Sequence, residues 1–482
     1  MVEGTVRKAH AQAQARGGPS ASDMSGDAGE MRVSCKSAGV GSVPRGLLIG
    51  VHAEEDDPGG STFSFTQTGA RYNDYVKGRI KDQLFRTFPL PRLGQVDSFG
   101  HAESAAEGAS MGLWIYQEHR SEDKLVVMPK INLFDSEDWI GWQIGQQKAA
   151  AQNLARQLAE TPANLLTPSA FAQSAVEVLT KAGVNVEVKV RNWAKLRGFN
   201  AFLSVSAGSC QPPIFLEAYY EGCDPDVPPV VLIGKGVTFD AGGICLSRGR
   251  NLKNNKGDMA GAATIVAALR AVSNLQLPIN VRGLIPLCEN MPGASAFKPG
   301  DIIRAQNGKT ILVQDTSREG CLVLADALSY GGVYSPKFMV DIGTMTDEIC
   351  ELMGAAASGV FTHSDSLYDL IRIASIHTGD RVWRMPLWDY YTEAVVSTEK
   401  SDVMNVGVAP SGEGGACNAA AFLQEFVPPN TADWMHVDIK GVAVIPSSAA
   451  SSAACPAYLR PGMSGRPTRT LIEFLSQLAC RQ

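Results

Sequence analysis

The chain has 482 residues, of which 45% are hydrophobic and 19% are charged, as is typical of globular proteins. This length predicts two or three domains. The net charge of −6 and the isoelectric point near 5.7 give no reason to expect nucleic-acid binding. No apolar run is long enough to cross a bilayer. The ten cysteines form no Cys-x-x-Cys pair, which disfavours a structural zinc site and a disulfide framework.

Residues 1–44 differ in composition from the rest of the chain. They are small, polar and rich in Gly, Ser and Ala, without the apolar core of a secretory signal. We predict a disordered tail here. Arg7, Lys8 and Arg16 stand against one early acid, Glu3, which leaves a mitochondrial presequence open. The expected localisation is therefore cytoplasmic, with a mitochondrial one as the alternative.

The next segments predict a small domain followed by a long helix. Residues 45–138 mix short apolar stretches with polar ones and predict a reduced N-terminal α/β domain. Over 139–165, apolar residues recur at helical spacing and predict a linking helix. A second helix follows, because Thr167 is a capping residue and Pro168 suits the first helical position.

Residues 166–482 alternate between two kinds of pattern. The stretches "VNVEVKV", "PIFLEAYY", "PVVLIGKG", "INVRGLIPL", "FMVDIGTM" and "WMHVDIKGV" predict strands. Helical patterns such as "DMAGAATIVAALRAVSN" and "GCLVLADALSYG" lie between several of them. We therefore predict a two-domain α/β protein, whose larger C-terminal domain has a central mixed sheet flanked by helices.

Three acids and a lysine fall at the predicted strand–helix junctions. Lys235 and Asp240 follow a buried strand, and Asp258 and Glu319 each open a predicted helix. Asp258 or Glu319 taken alone is explained equally well as a helix-capping residue. If all three converge, however, they repel one another unless a cation lies between them. The group therefore predicts a divalent metal site for Mn, Zn or Mg, in which Lys235 binds as a neutral amine.

From about residue 152 to residue 475 the chain resembles the leucyl (cytosol) aminopeptidase family. The resemblance rests on long strings, among them "QNLARQLAETPAN", "GKGVTFDAGG", "GDMAGAAT", "KPGDIIRAQNGKT" and "RPGMSGRPTRTLIEFL". It implies a homohexameric enzyme with two metal ions that removes N-terminal residues from peptides. It also implies that the family's tighter metal site is complete, with Lys235, Asp240, Asp258 and Glu319 as its ligands.

The same resemblance exposes three departures from the family pattern. Ser317 replaces the Asp that the second metal site needs, although Ser317 remains a possible weak ligand. Cys321 replaces an arginine thought to hold a bicarbonate base, and Ser247 replaces the catalytic lysine. Arg248 or Arg250 is a candidate substitute cation, although an arginine copies a lysine poorly in a shaped site. We therefore expect one tight ion per subunit.

The neighbouring substrate pocket departs as well. Thr344 matches the family, but Met345 stands where a leucine is usual, and Asn255 replaces an apolar residue that lines the side-chain pocket. Cys321 at a helix start is read as a small filler rather than as a nucleophile, and His436 as a structural histidine.

Two functions remain open on these residues. The first is a leucyl-aminopeptidase-like protein with strongly reduced or lost catalysis and a structural or binding role, in a homo-oligomer. The second is an active manganese or zinc aminopeptidase with altered specificity. A peptide or peptide-like ligand fits both. A DNA-binding regulator is disfavoured, because the chain is acidic.

Overall fold

The structure is a computed structural model that describes residues 47–48, 51–53, 63–65, 93–97, 101–134, 136–247, 252–396, 398–407, 414–429, 433–446, 456 and 458–480. The described residues divide into two compact units between Ala150 and Ala151. The tail predicted over 1–44 lies outside the described residues, and the predicted domain bounds stay a prediction.

The smaller unit contains two small sheets. Its strands are β1 (Leu47–Leu48), β2 (Val51–Ala53), β3 (Phe63–Phe65), β4 (Leu93–Asp97) and β5 (Lys130–Phe134). In the described part of this unit, β1, β4 and β5 pair in parallel and β2 pairs with β3 antiparallel. Helix α1 (Ala102–Leu113) packs on this sheet around Ile131 and Trp142. Trp142 belongs to α2 (Trp139–Glu160), within which the boundary between the units falls.

The larger unit contains the remaining elements. Its helices are α3 (Pro168–Lys181), α4 (Arg191–Leu196), α5 (Asn200–Ser206), α6 (Ala260–Asn274), α7 (Glu319–Gly331), α8 (Asp347–Met353), α9 (Asp365–Thr378), α10 (Asp389–Val396), α11 (Gly415–Gln424), α12 (Lys440–Ala443) and α13 (Thr468–Ala479). Its strands are β6 (Asn185–Val190), β7 (Ile214–Glu221), β8 (Val230–Gly234), β9 (Gly236–Asp240), β10 (Asn280–Asn290), β11 (Ile302–Arg304), β12 (Thr310–Leu312), β13 (Phe338–Gly343), β14 (Ser358–Phe361), β15 (Val382–Arg384), β16 (Val403–Met404), β17 (Trp434–Asp438), β18 (Val444–Ile445) and β19 (Gly462–Met463).

A mixed sheet forms the centre of the larger unit. Within the described ranges its order is β15-β14-β17-β13-β8-β10-β7-β6, and β9 pairs with β10. Strands β17, β13, β8 and β10 run parallel to their neighbours within this group, whereas β7 is antiparallel to β10 and β14 to β17. Helices α6 and α7 are almost entirely buried against the sheet. The predicted α/β class with a central mixed sheet flanked by helices is confirmed.

Local signals explain several element boundaries. Thr167 accepts a hydrogen bond from Ala170 N at 3.3 Å and Pro168 is the first residue of α3, as predicted. Two predictions were wrong in detail. Asp258 lies in a 3-10 helix (Leu252–Met259) before α6 rather than at the start of α6, and Thr344 Oγ1 lies within hydrogen-bond distance of both its carboxylate and its carbonyl. The stretch "WMHVDIKGV" was predicted as one strand, but β17 ends at Asp438. The carboxylate of Asp438 accepts a hydrogen bond from Lys440 N at 3.0 Å, which turns the chain there.

None of the helices in the described part of the chain has both the length and the apolar character needed to cross a membrane.

Candidate metal centre

The predicted site residues lie along one edge of the central sheet. Lys235 joins β8 to β9, and Asp240 is the last residue of β9. Asp258 lies in the 3-10 helix that precedes α6, and Glu319 is the first residue of α7. Carboxyl ends of parallel strands are where ligands gather in α/β sheets, since the connecting loops open a crevice there.

The structure brings these four side chains into contact. Asp240, Asp258 and Glu319, the carboxylate cluster, each offer an oxygen, and these oxygens lie within 4.8 Å of one another. Lys235 Nζ lies 2.7 Å from Asp258 Oδ2 and 2.7 Å from Glu319 Oε1, and it donates to the carbonyl of Thr344 at 2.9 Å. All four side chains are buried.

The electrostatics of the carboxylate cluster favour a cation. Burial, reinforced by the charge of Asp258, raises the pKa of Asp240 to about 6. Burial and the charge of Asp240 raise the pKa of Glu319 well above its ordinary value. Burial acts in the same sense on Asp258, but Lys235, Lys440 and a hydrogen bond from Thr344 together outweigh it and lower the pKa of Asp258. Lys235 alone therefore does not satisfy three buried acids.

A divalent cation fits this donor set. Oxygen ligands held close together in a buried pocket suit Mn, Mg or Zn. Burial disfavours the charged form of Lys235, but the surrounding carboxylates outweigh it and raise its pKa. A bound cation would reverse this balance and let Lys235 act as a neutral amine ligand. The carboxylate cluster and Lys235 would then hold the ion.

Neighbouring groups fix the orientation of the cluster. Asp240 Oδ1 accepts hydrogen bonds from Gly242 N and from Asn290 Nδ2, both at 2.8 Å. Thr344 Oγ1 donates to Asp258 Oδ1 at 2.7 Å. A Cβ at Gly320, beside Glu319, would lie 2.9 Å from Met345 Sδ and 3.0 Å from Lys235 Nζ, so these side-chain ends would have to shift. Such outer bonds hold ligand atoms in place.

Ser317 is turned toward a different acid. Its hydroxyl and its backbone N both bind Asp315 Oδ1 at 2.8 Å. The backbone of Asp315 is held in turn by Asn405, whose Nδ2 donates to Asp315 O at 2.7 Å. Ser317 therefore caps its own turn, and its hydroxyl proton is used there.

Cys321 follows Gly320 in α7 and is buried. Burial raises the pKa of its thiol to about 12, although Arg318 partly opposes this. Cys321 lines a small open cavity together with Gly320, Met345, Thr346, Arg318 and Glu348. The last two residues form a two-pronged ion pair at the cavity wall, in which Arg318 Nη1 donates to Glu348 Oε2 at 2.8 Å.

The other predicted residues lie in the loops around the cluster. Ser247 is half-buried, and its backbone N donates to Ala241 O at 2.9 Å. Asn255 Nδ2 donates to the carbonyl of Asp240 at 2.8 Å, so this amide supports the loop that carries Asp240. Met345 lines the cavity. Arg248 and Arg250 lie outside the described residues.

His436 has a structural environment. It is fully buried in β17, and its Nδ1 lies 2.5 Å from Asp341 Oδ1. Trp434 Nε1 donates to the other oxygen of Asp341 at 2.7 Å. These bonds tie β17 to β13, in keeping with the structural reading of His436.

Sequence reasoning missed two polar residues at this edge. Asn290 pairs with Asp240 in the register of β9 and β10. Its position as a polar residue at the end of a buried strand could have indicated a place in the site. Lys440 Nζ lies 3.8 Å from Asp258 Oδ1. Burial opposes the charged form of Lys440, but Asp258, Asp347 and Asp240 together outweigh burial and raise the pKa of Lys440. The sequence did not indicate Lys440, because "WMHVDIKGV" was predicted to be one strand and Lys440 was therefore placed inside it.

Comparison with known sequences gives one consistent family. Residues 153–472 match the cytosol aminopeptidase family, catalytic domain. Cytosol aminopeptidase of Homo sapiens is 48% identical over 384 residues, which cover 79% of this chain and 72% of the relative. Cytosol aminopeptidase of Xenopus tropicalis is 39% identical over 500 residues, which cover 91% of this chain and 94% of the relative.

A solved structure with a similar fold agrees with this assignment. The bottromycin maturation enzyme BotP in complex with Mn is 30% identical, with a TM-score of 0.74. The match covers 93% of this chain and 98% of that one.

Proposed function

Because this chain belongs to the cytosol aminopeptidase family, we propose that it is a leucyl-aminopeptidase-like metalloprotein that has lost most or all of the family's catalysis. It holds one divalent ion in the carboxylate cluster and has a structural or binding role. Its ligand is a peptide or a peptide-like molecule.

The charge of the site supports a single ion. Three carboxylates neutralise one divalent cation and leave a second one under-neutralised. A second ion would need a further anionic ligand, and Ser317 supplies only a neutral hydroxyl that already donates to Asp315. The occupied hydroxyl of Ser317 is the observation that carries the proposal.

The reacting side of the site lacks the groups that the reaction needs. A bound divalent ion supplies Lewis acidity to a peptide carbonyl. Ser247 and Cys321 offer neither a cation to polarise that carbonyl nor an anchor for a base. Loss of one such electrostatic donor costs about 10²–10³-fold in rate, and loss of a positioned base costs about 10²–10⁴-fold. Since these losses need not multiply, a deficit of at least about 10²-fold is the expectation.

The test combines a metal count with an activity assay on the purified protein. Elemental analysis after dialysis against Mn or Zn should give one ion per subunit. Hydrolysis of leucyl- and other aminoacyl-arylamides should be at least about 10²-fold slower than by human cytosol aminopeptidase. Two ions per subunit together with turnover close to that of the human enzyme, abolished by Glu319→Ala, would establish the active aminopeptidase with altered specificity instead.

Further properties are proposed from the family. Mn or Zn is the expected ion and Mg the weaker alternative; the Mn complex of the bottromycin maturation enzyme favours Mn. A homo-oligomer, and specifically a hexamer, is the proposed assembly. A cytoplasmic location is proposed, with mitochondria as the alternative. Sedimentation analysis and imaging of a C-terminally tagged chain test these points.

A further inference from the structure

Lys440 is a second lysine at the carboxylate cluster. It is the first residue of α12, and Asp438 two residues earlier orients its backbone. Its Nζ lies 3.8 Å from Asp258 Oδ1 and 3.9 Å from Asp347 Oδ1. Both distances exceed a hydrogen bond, so Lys440 acts on these acids through its charge.

Asp258 dominates this interaction. The side chain of Asp258 is 1% exposed and that of Asp347 is 82% exposed, whereas that of Lys440 is 26% exposed. Water screens the pair with Asp347, and such exposed pairs contribute little. The pair with buried Asp258 is screened far less.

Lys440 therefore places a positive charge of the protein beside the carboxylate cluster, 3.8 Å from Asp258 Oδ1. Any further divalent ion that enters the site would meet this charge. We propose that Lys440 is the counter-charge of a one-ion site, and that it disfavours a second divalent ion by repulsion and by neutralising the charge that such an ion needs.

This inference rests on the proposed function and deepens it, because it assigns the ion number to a residue. Ser317 explains why the second ion lacks a ligand. Lys440 explains why the remaining charge of the carboxylate cluster does not attract a second ion. Lys440 acts through its charge, and its effect is measured by ion binding rather than by catalysis.

The experiment measures bound Mn by equilibrium dialysis over a range of free Mn concentrations. Wild-type protein should bind one ion, and a second only at high free Mn. In Lys440→Met, the second ion should bind at a free Mn concentration at least about tenfold lower, since a charge a few ångströms away is removed. Lys440→Arg keeps the charge and should behave as wild type. Lys298→Met, a control at a lysine that is 64% exposed and pairs with Asp301, should also behave as wild type.

The outcomes separate the inference from the function on which it rests. If wild type binds one ion and Lys440→Met binds the second no better, the role of Lys440 is overturned. If wild type binds two ions with equal affinity, this role is overturned as well. If wild type binds no ion, the proposed metal site itself is wrong. Lys440→Gln, which keeps a polar side chain, gives the same reading if Lys440→Met does not fold.

Discussion

The two halves of the candidate centre differ in how their polar atoms are used. In the carboxylate cluster, buried charged groups converge on one point, and outer groups such as Thr344 hold them there. In the half formed by Ser247, Ser317 and Cys321, the polar groups bond within their own loops or are buried as neutral atoms. The contrast supports the proposal that the chain keeps the frame of a cation site without the groups that the reaction needs.

Restoring the second half should have the largest effect. The triple change Ser247→Lys, Ser317→Asp and Cys321→Arg returns the missing acid and both cations. If the scaffold is otherwise intact, hydrolysis of leucyl-arylamides should rise about 10²–10⁴-fold.

The matched control for this change is Ser247→Ala, Ser317→Ala and Cys321→Ala. It alters the same positions without adding charge, so turnover should stay at the wild-type level. Equal turnover of both triple variants, with both folded by circular dichroism, would show that the halves differ by more than these three residues.

Removing one acid from the first half should have the next largest effect. Glu319→Gln keeps the size of the side chain but removes one of three charges from the cluster. Because loss of an outer-shell partner already costs about 10–100-fold in metal affinity, loss of a ligand should weaken Mn binding by about 10²-fold or more. Isothermal titration calorimetry with Mn measures this loss.

Ser317→Ala is the corresponding change in the other half. Its hydroxyl donates to Asp315, so Mn affinity should change by less than about twofold. A loss of affinity in Ser317→Ala as large as that in Glu319→Gln would contradict the division of the centre into two halves.

The sequence predicted the first half better than its surroundings. Glycine-flanked acids at strand–helix junctions mark a ligand site in an α/β sheet, and this signal indicated Asp240, Asp258 and Glu319 together. Strands β6, β7, β8, β10, β13 and β17 of the central sheet were visible as apolar β-branched runs, whereas β9, β14 and β15 were not predicted as separate strands. These features are local, and the sequence displays them directly.

The remaining contacts depend on side-chain direction between distant segments. Asn290 bridges Asp240 to the carbonyl of Thr316, and Lys440 approaches Asp258 across a large sequence separation. The bond from Ser317 to Asp315 is short in sequence, yet it depends on the turn that this segment adopts. Residue types alone do not specify such rotamers.

Removing the support of Asp240 should have a smaller effect than removing a ligand. Asn290→Ala deletes the amide that donates to Asp240 Oδ1 and to Thr316 O, at 2.8 and 3.0 Å. Mn affinity should fall about tenfold, as is usual when an outer hydrogen bond to a ligand is lost. Calorimetric titration with Mn tests this value.

Asn280→Ala is the control for this change on the same strand. Asn280 is also buried in β10, and its amide donates to Asp224 O and Val227 O at 2.7 and 3.1 Å. Both variants should lose thermal stability, but only Asn290→Ala should lose Mn affinity. Equal Mn affinities of Asn290→Ala and Asn280→Ala would mean that Asn290 stabilises the fold without supporting the ion.

The thiol of Cys321 should show the smallest effect. With a pKa raised by burial to about 12, its thiolate fraction at pH 8 is about 10⁻⁴ and increases only tenfold for each pH unit. Iodoacetamide at pH 8 should therefore modify exposed Cys210 and leave Cys321 unmodified, as peptide mass spectrometry can measure. Cys321→Ser should leave Mn affinity and residual turnover unchanged. Rapid alkylation of Cys321, or loss of turnover in Cys321→Ser, would instead show that Cys321 takes part in the reaction. The half of the centre formed by Ser247, Ser317 and Cys321 would then not be purely structural.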